Sequence, residues 1–166
     1  MDMRAVIEWM MATRFSLLLQ DWSVWLSPLC EILHFVGLSL LLGAAGFLDL
    51  RLLGVFRGVP VASALEFAPW AMVGFALNVV TGVLFIWIDP SLYLRSGTWW
   101  AKVFFIVVAV ANVGVFERSS LGMRARLIGA GDDTTLAMKI VAGTSLASWL
   151  LVLYFGRMLP YLGTAY

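Results

Sequence analysis

His34 is the only histidine in a chain of 166 residues, and it lies in the run CEILHFVG with the only cysteine, Cys30, four residues before it and Glu31 three before it. An imidazole, a thiol and a carboxylate this close can bind a metal. Cys30 and His34, at i and i+4, share one helical face, which gives a workable two-point grip on a metal with Glu31 alongside. With no further histidine or cysteine in the chain, a closed shell of such ligands cannot be completed. Two more ionisable groups sit in apolar surroundings: Lys102 in WWAKVFFIV and Arg157 in LYFGRMLP. A third apolar run carries Asn78, Thr81, Gly82 and Phe85, whose i, i+3, i+4, i+7 spacing puts them on one helical face.

The elements that must position these groups follow from composition. Hydrophobic residues make up 62% of the chain and charged residues 13%, with a mean hydropathy of +0.95. Soluble domains carry about 45 to 50% apolar and about 25% charged residues, so the sequence reads as an integral membrane protein whose first partner is the lipid bilayer. A net charge of +1 excludes the basic surface that nucleic acid requires. The start of the chain, with acids at Asp2, Glu8 and Asp21, lacks the basic region and apolar core of a signal peptide. No Ser/His/Asp constellation, P-loop or dinucleotide fingerprint is present.

A bilayer core of about 30 Å takes about 20 mostly apolar residues per helix. Four segments qualify: 26–48, 67–88, 99–116 and 139–159. The fold expected is all-α, a four-helix transmembrane bundle over residues 25–160, with short polar links and a tail at 161–166. Residues 1–24 mix Val6, Ile7, Met10, Phe15, Leu18 and Leu19 with Arg4, Glu8, Arg14 and Gln20, as an amphipathic interfacial helix does. Arginine and lysine concentrate in the first and third links, which by the positive-inside rule makes those links cytoplasmic and both termini periplasmic. Trp22, Trp25, Trp87, Trp99 and Trp100 then gather at the outer interface.

In this frame His34 lies about 12 Å inward from Leu26, Lys102 about 5 Å from Trp99 and Arg157 about 4 Å from Pro160, at 1.5 Å per residue. Long lysine and arginine stems close much of that difference, so all four helices are expected to line one pocket, with Thr81 near the depth of His34. Such a pocket suits haem b. His34 would ligate iron, Gly37 would leave room for the flat macrocycle, and Lys102 and Arg157 would pair with the propionates. Met158 is the one sixth ligand the fourth span offers, and the alternative is an open position.

The same residues support plainer roles. His34 can simply hydrogen-bond to Asn78, Thr81 or a backbone carbonyl, while Lys102 and Arg157 reach for the headgroups and Glu31 pairs with one of them. Asp49, Arg51, Glu117 and Arg118, at the other end of the first and third spans, read as interfacial ion pairs that set register. Gly37, Gly43, Ala44 and Gly46 form a small-residue seam for bundle packing or for a homodimer.

The runs WLSPLCEILHFVGLSLLLGAAGFLDLRLLG, PWAMVGFALNVVTGVLFIW and WWAKVFFIVVAVANVGVFE together resemble a bacterial family of small four-helix membrane proteins of unknown function. Glu31, His34, Asp49, Arg51, Thr81, Gly82, Lys102 and Asn112 match that pattern, over roughly residues 20 to 117. More remotely, the early histidine and the early lysine of the third span are similar to those of the bacterial membrane protoporphyrinogen oxidase and of the membrane domain of copper-resistance protein D. The oxidase resemblance implies His34 as an axial haem ligand and Lys102 as a propionate or substrate contact. DLRLLG replaces the oxidase's arginine-rich end of the first span, and its further histidines are missing. Together these point to a haem-b protein of the bacterial inner membrane, working with a redox partner in electron transfer or porphyrin redox chemistry. The competing expectation is a non-catalytic accessory subunit of a larger membrane complex, or a small transporter-like bundle.

Overall fold

A computed structural model of the protein describes residues 2–162. It is all-α, with no strand among the described residues, and four of its helices are long and apolar enough to cross a membrane. The helices in chain order are α1 (Met3–Ala12), α2 (Arg14–Asp21), α3 (Ser23–Leu53), α4 (Val61–Leu65), α5 (Ala68–Ile88), α6 (Pro90–Leu94), α7 (Gly97–Arg118), α8 (Ser120–Ala125) and α9 (Leu136–Leu162). The spanning helices are α3, α5 with the short α4 before it, α7 and α9, so the chain is a multi-pass membrane protein. Tyr161 and Leu162, expected in the tail, belong to α9; the rest of that tail lies outside the described residues.

The bundle is built from two intimate pairs. α3 packs along α5 and α7 along α9, and α3 against α9 joins the pairs, whereas α5 and α7 barely meet. The α3/α5 contact is close because two glycines face each other. A β-carbon on Gly37 would fall 2.8 Å from the Gly74 carbonyl oxygen and 2.6 Å from the Asn78 side chain. Missing side chains at such a crossing let backbones approach and gain dispersion contacts, the main attraction available between helices in lipid. Leu41, Ala109, Trp149 and Val152 fill the middle of the bundle, with Phe75 set edge-on to Trp149. A second core, including Leu52, Val61, Phe116 and Met138, seals the end of the bundle near Leu53.

The segment expected as one amphipathic helix is two. Thr13 takes an extended backbone conformation, donates its hydroxyl to the Met10 carbonyl at 2.7 Å and accepts the Ser16 amide at 3.3 Å. It closes α1 and caps α2, a role that Thr fills because its oxygen competes for backbone partners. These helices lie on protein as well as on any interface. Ile7, Met10 and Ser16 are buried, the Ser16 hydroxyl donates to the Trp87 carbonyl at 2.9 Å, and Phe15 meets the Trp87 ring edge-on. Trp22 and Trp25 remain exposed, as interfacial anchors would be.

The first span runs five residues beyond the hydropathy boundary at Leu48, through Asp49 and Arg51 to a glycine cap. Gly54 adopts φ +92°, and its amide and that of Val55 return to the Leu50 carbonyl. A left-handed residue that ends a helix in this way is usually glycine. The helix continues because Arg51 is wholly buried with acceptors of its own: Nε donates to the Val59 carbonyl, and Nη2 to those of Gly129 at 3.0 Å and Asp132 at 3.3 Å. The expected ion pairs therefore need correction. Among the described residues Arg51 and Asp49 enter no ion pair; Asp49, also buried, faces Ser145 of α9. Glu117 pairs with Arg126 at 3.7 Å rather than with Arg118, whose guanidinium folds back over Gly114.

Candidate functional site

The His34 end of the bundle brings together α3, α5, α7 and α9. His34 Nδ1 lies 2.7 Å from Thr81 Oγ1, and the Thr81 hydroxyl is in turn 2.7 Å from the Leu77 carbonyl oxygen one turn back on α5. Thr81 is buried, so its oxygen is not shared with solvent. The ring also meets Phe85 edge-on at 5.6 Å, and Phe85 stacks nearly parallel on Tyr93 of α6 at 6.4 Å. Thr81 and Phe85, four residues apart, face His34 together, as the spacing on α5 requires.

Lys102 enters from α7. Its stem lies across Gly156 of α9, where a β-carbon would stand 3.5 Å from the ammonium, and the charge comes within electrostatic range of the His34 ring. Among the described residues no carboxylate lies within ion-pair distance of it. An ammonium in apolar surroundings ordinarily finds a partner or reaches water. Tyr93, beside this end and outside the spans, has its phenol pushed up to about 12 by burial, with Asp89 and Glu31 adding negative charge nearby.

Two of the five residues expected to line this pocket are elsewhere. Gly37 makes no room for a ligand, because the space its missing side chain leaves is taken by Asn78, Gly74 and Leu77 of α5. Arg157 is exposed at the end of α9, with its guanidinium 5.8 Å from the centre of the Tyr161 ring. Depth along a helix placed it with Lys102, but its direction around the helix axis turns it outward. Its neighbour Gly156 is what touches Lys102, a role the small residue before Arg157 did not advertise. The three-ligand metal site is also absent: among the described residues no three His, Cys, Asp or Glu side chains converge, and Cys30 is buried. Asn78, one alternative partner for His34, instead donates to the Gly74 carbonyl of its own helix at 2.8 Å.

The arrangement that remains is an imidazole joined through Nδ1 to Thr81, a second ring nitrogen with no hydrogen-bond partner among the described residues, and one cation nearby. It can hold an electrophilic centre on the imidazole and an anionic group on Lys102. Compared with known proteins, the chain matches no protein family, no curated protein and no solved structure.

Proposed function

We propose that this is a haem-b-binding membrane protein acting in electron transfer or porphyrin redox chemistry, with His34 as the residue that would hold the iron. The observation that carries the reading is that Lys102, from a separate helix, comes within electrostatic range of His34, the imidazole anchored at Nδ1 and the ammonium, among the described residues, without a carboxylate. Ligating histidines characteristically donate their other ring nitrogen to a fixed acceptor, which orients the ring and raises its basicity. Thr81 Oγ1 stands at hydrogen-bond distance from that nitrogen. Lys102 would hold a propionate, and the weak contact between α5 and α7 leaves the side of the bundle on which a flat group can enter. When bound, haem supplies reversible one-electron chemistry; the chain's own residues orient the ring, compensate negative charge and keep the site apolar. Gly37 and Arg157 have no part in it. The remote likeness to the bacterial protoporphyrinogen oxidase supports the same pair of residues and an inner-membrane location, in which the charge bias of the links would put both termini in the periplasm.

The test is a pyridine-haemochrome spectrum of protein purified from haem-replete cells, wild type beside His34→Ala and Lys102→Ala. The reading expects a Soret band in the wild type, its loss in His34→Ala and weakened retention in Lys102→Ala. A colourless wild type would sink it.

A second reading, an accessory subunit, is favoured by an apolar cleft of about 630 Å³ lined by Ser39, Gly43, Ala44 and Phe47 of α3 and by Phe67 and Trp70. A cleft of small and aromatic residues suits a helix of another chain. A stoichiometric partner retained in mild detergent by a colourless chain would favour that reading over haem.

A further inference from the structure

Thr81 is placed to decide which nitrogen of His34 carries the proton. A hydroxyl has one hydrogen, and a carbonyl oxygen can only accept. Thr81 Oγ1 stands 2.7 Å from both the Leu77 carbonyl oxygen and His34 Nδ1. If the hydroxyl gave its proton to Nδ1, the oxygens of Thr81 and Leu77 would face each other at 2.7 Å with no proton between them, a repulsive contact inside an apolar bundle. With the proton directed to Leu77, the Thr81 oxygen accepts, and Nδ1 must be the donor. The alternative acceptor for the hydroxyl, the Asn78 carbonyl at 3.4 Å, is also a backbone oxygen and leads to the same conclusion. The lone pair of the neutral ring is then at Nε2.

We propose that Thr81 is a positioning residue that locks His34 as the Nδ1–H tautomer, making Nε2 the one atom through which the ring can bind a metal centre such as a porphyrin iron. The lock itself needs only the hydrogen bonds to His34 and Leu77; the identity of the ligand at Nε2 rests on the haem reading above. The lock is a chain of two bonds anchored in the α5 backbone, so it holds before any ligand arrives. It also fixes the ring plane, since Phe85 meets the ring edge-on and resists rotation about the Cβ–Cγ bond. Preorganisation of this kind removes the cost of choosing a tautomer at the moment of binding.

Because His34 is the chain's only histidine, labelling histidine with nitrogen-15 reports one ring and nothing else. The full chain, reconstituted in lipid without haem or added metal, is expected to show a protonated Nδ1 and an unprotonated Nε2, assigned by their different couplings to the ring hydrogens. Thr81→Val keeps the shape but removes the acceptor, and is expected to lower the ratio of Nδ1–H to Nε2–H about fivefold or more, the ratio one hydrogen bond's net worth implies. Thr81→Ser, which keeps the oxygen, restores the wild-type spectrum. An Nε2–H wild type, or an unchanged tautomer in Thr81→Val, overturns the proposal; if Thr81→Val does not fold, the wild-type spectrum alone still decides it. Haemin titration of the same samples separates the two claims. The expected tautomer in a chain that never develops a Soret band keeps the role of Thr81 and removes haem. A Soret band in a chain with the opposite tautomer does the reverse.

Discussion

A β-carbon on Gly74 would lie 2.5 Å from the carbonyl oxygen of Gly37, so the two glycines fix how closely the first and second spans approach. The His34–Thr81 hydrogen bond joins the same two helices, with His34 three residues before Gly37 and Thr81 seven after Gly74.

Gly74→Ala is therefore expected to force α3 and α5 apart and lower stability by about 1–3 kcal/mol, the usual cost of overpacking. Gly43→Ala is the control, since a β-carbon there meets nothing within 4 Å, and it should leave the melting temperature in detergent unchanged or slightly raised. Equal losses in the two variants would show that the glycine contact does not limit the approach.

Arg51→Met keeps the volume and removes donors for the Val59, Gly129 and Asp132 carbonyls. A buried carbonyl left without its donor costs about 1–3 kcal/mol. The expected result is a loss of about 3 kcal/mol or more in denaturant unfolding, with protease cutting first in the links holding those carbonyls. Arg51→Lys should recover only part, because an ammonium lacks the fork that spans separated acceptors. A Met variant as stable as the wild type would refute the clamp.

Gly54→Ala forces a β-carbon into the left-handed region at φ +92° and should cost about 1–2 kcal/mol. Gly54→Asn, better tolerated there, should cost less. Thermal unfolding of the two variants side by side checks the order.

At the Arg51 end, the hydrogen bond from Lys139 and the amide of Thr134 hold the Asp133 carboxyl below its ordinary range, with Arg57 contributing. A folded-state value below the unfolded one means that the stabilisation is present above the ordinary carboxylate range and is lost as pH falls through the folded value. Asp133→Asn should thus melt slightly below the wild type at neutral pH and coincide with it in acid. The group is exposed, so added salt should also narrow the gap. A gap that widens in acid would contradict the assignment.

Gly156→Leu should displace the Lys102 stem from its berth on α9, whereas Gly156→Ala, at ordinary van der Waals contact, should be tolerated. Under the haem reading the leucine variant loses haem about tenfold faster while its helical content stays the same. Unchanged retention in a folded leucine variant would remove Lys102 from the site.

Much of the fold was legible because crossing a bilayer demands long apolar runs, and four such runs stand out between polar links. The helix ends were less legible. Hydropathy stops at Leu48, but a buried arginine with internal acceptors carries α3 on to Leu53, and no local pattern announces carbonyls that arrive from distant loops. The break at Thr13 was present as a capping residue followed three positions later by Ser16, within a segment whose mixed charge concealed it. In the site, the i+4 pair of Thr81 and Phe85 could be read against His34 because both faces follow from helical periodicity. Gly37 could not, since a glycine looks the same in sequence whether it faces a ligand or another backbone. Arg157 failed for a related reason: position along an axis fixes depth but not direction.

The Arg51 clamp has a consequence for biosynthesis. Its guanidinium leaves the ribosome with the first span, but Gly129 and Asp132, two of its acceptors, follow 78 and 81 residues later, and the Leu52 carbonyl waits 82 residues for the Thr134 hydroxyl. Until the loop carrying those residues is translated, the guanidinium has only the nearby Val59 carbonyl to donate to, and a cation so incompletely satisfied favours water over the bundle interior. The end of α3 is thus completed by a loop made 78 to 82 residues after it, so the first span settles into its final place only once the third has been translated.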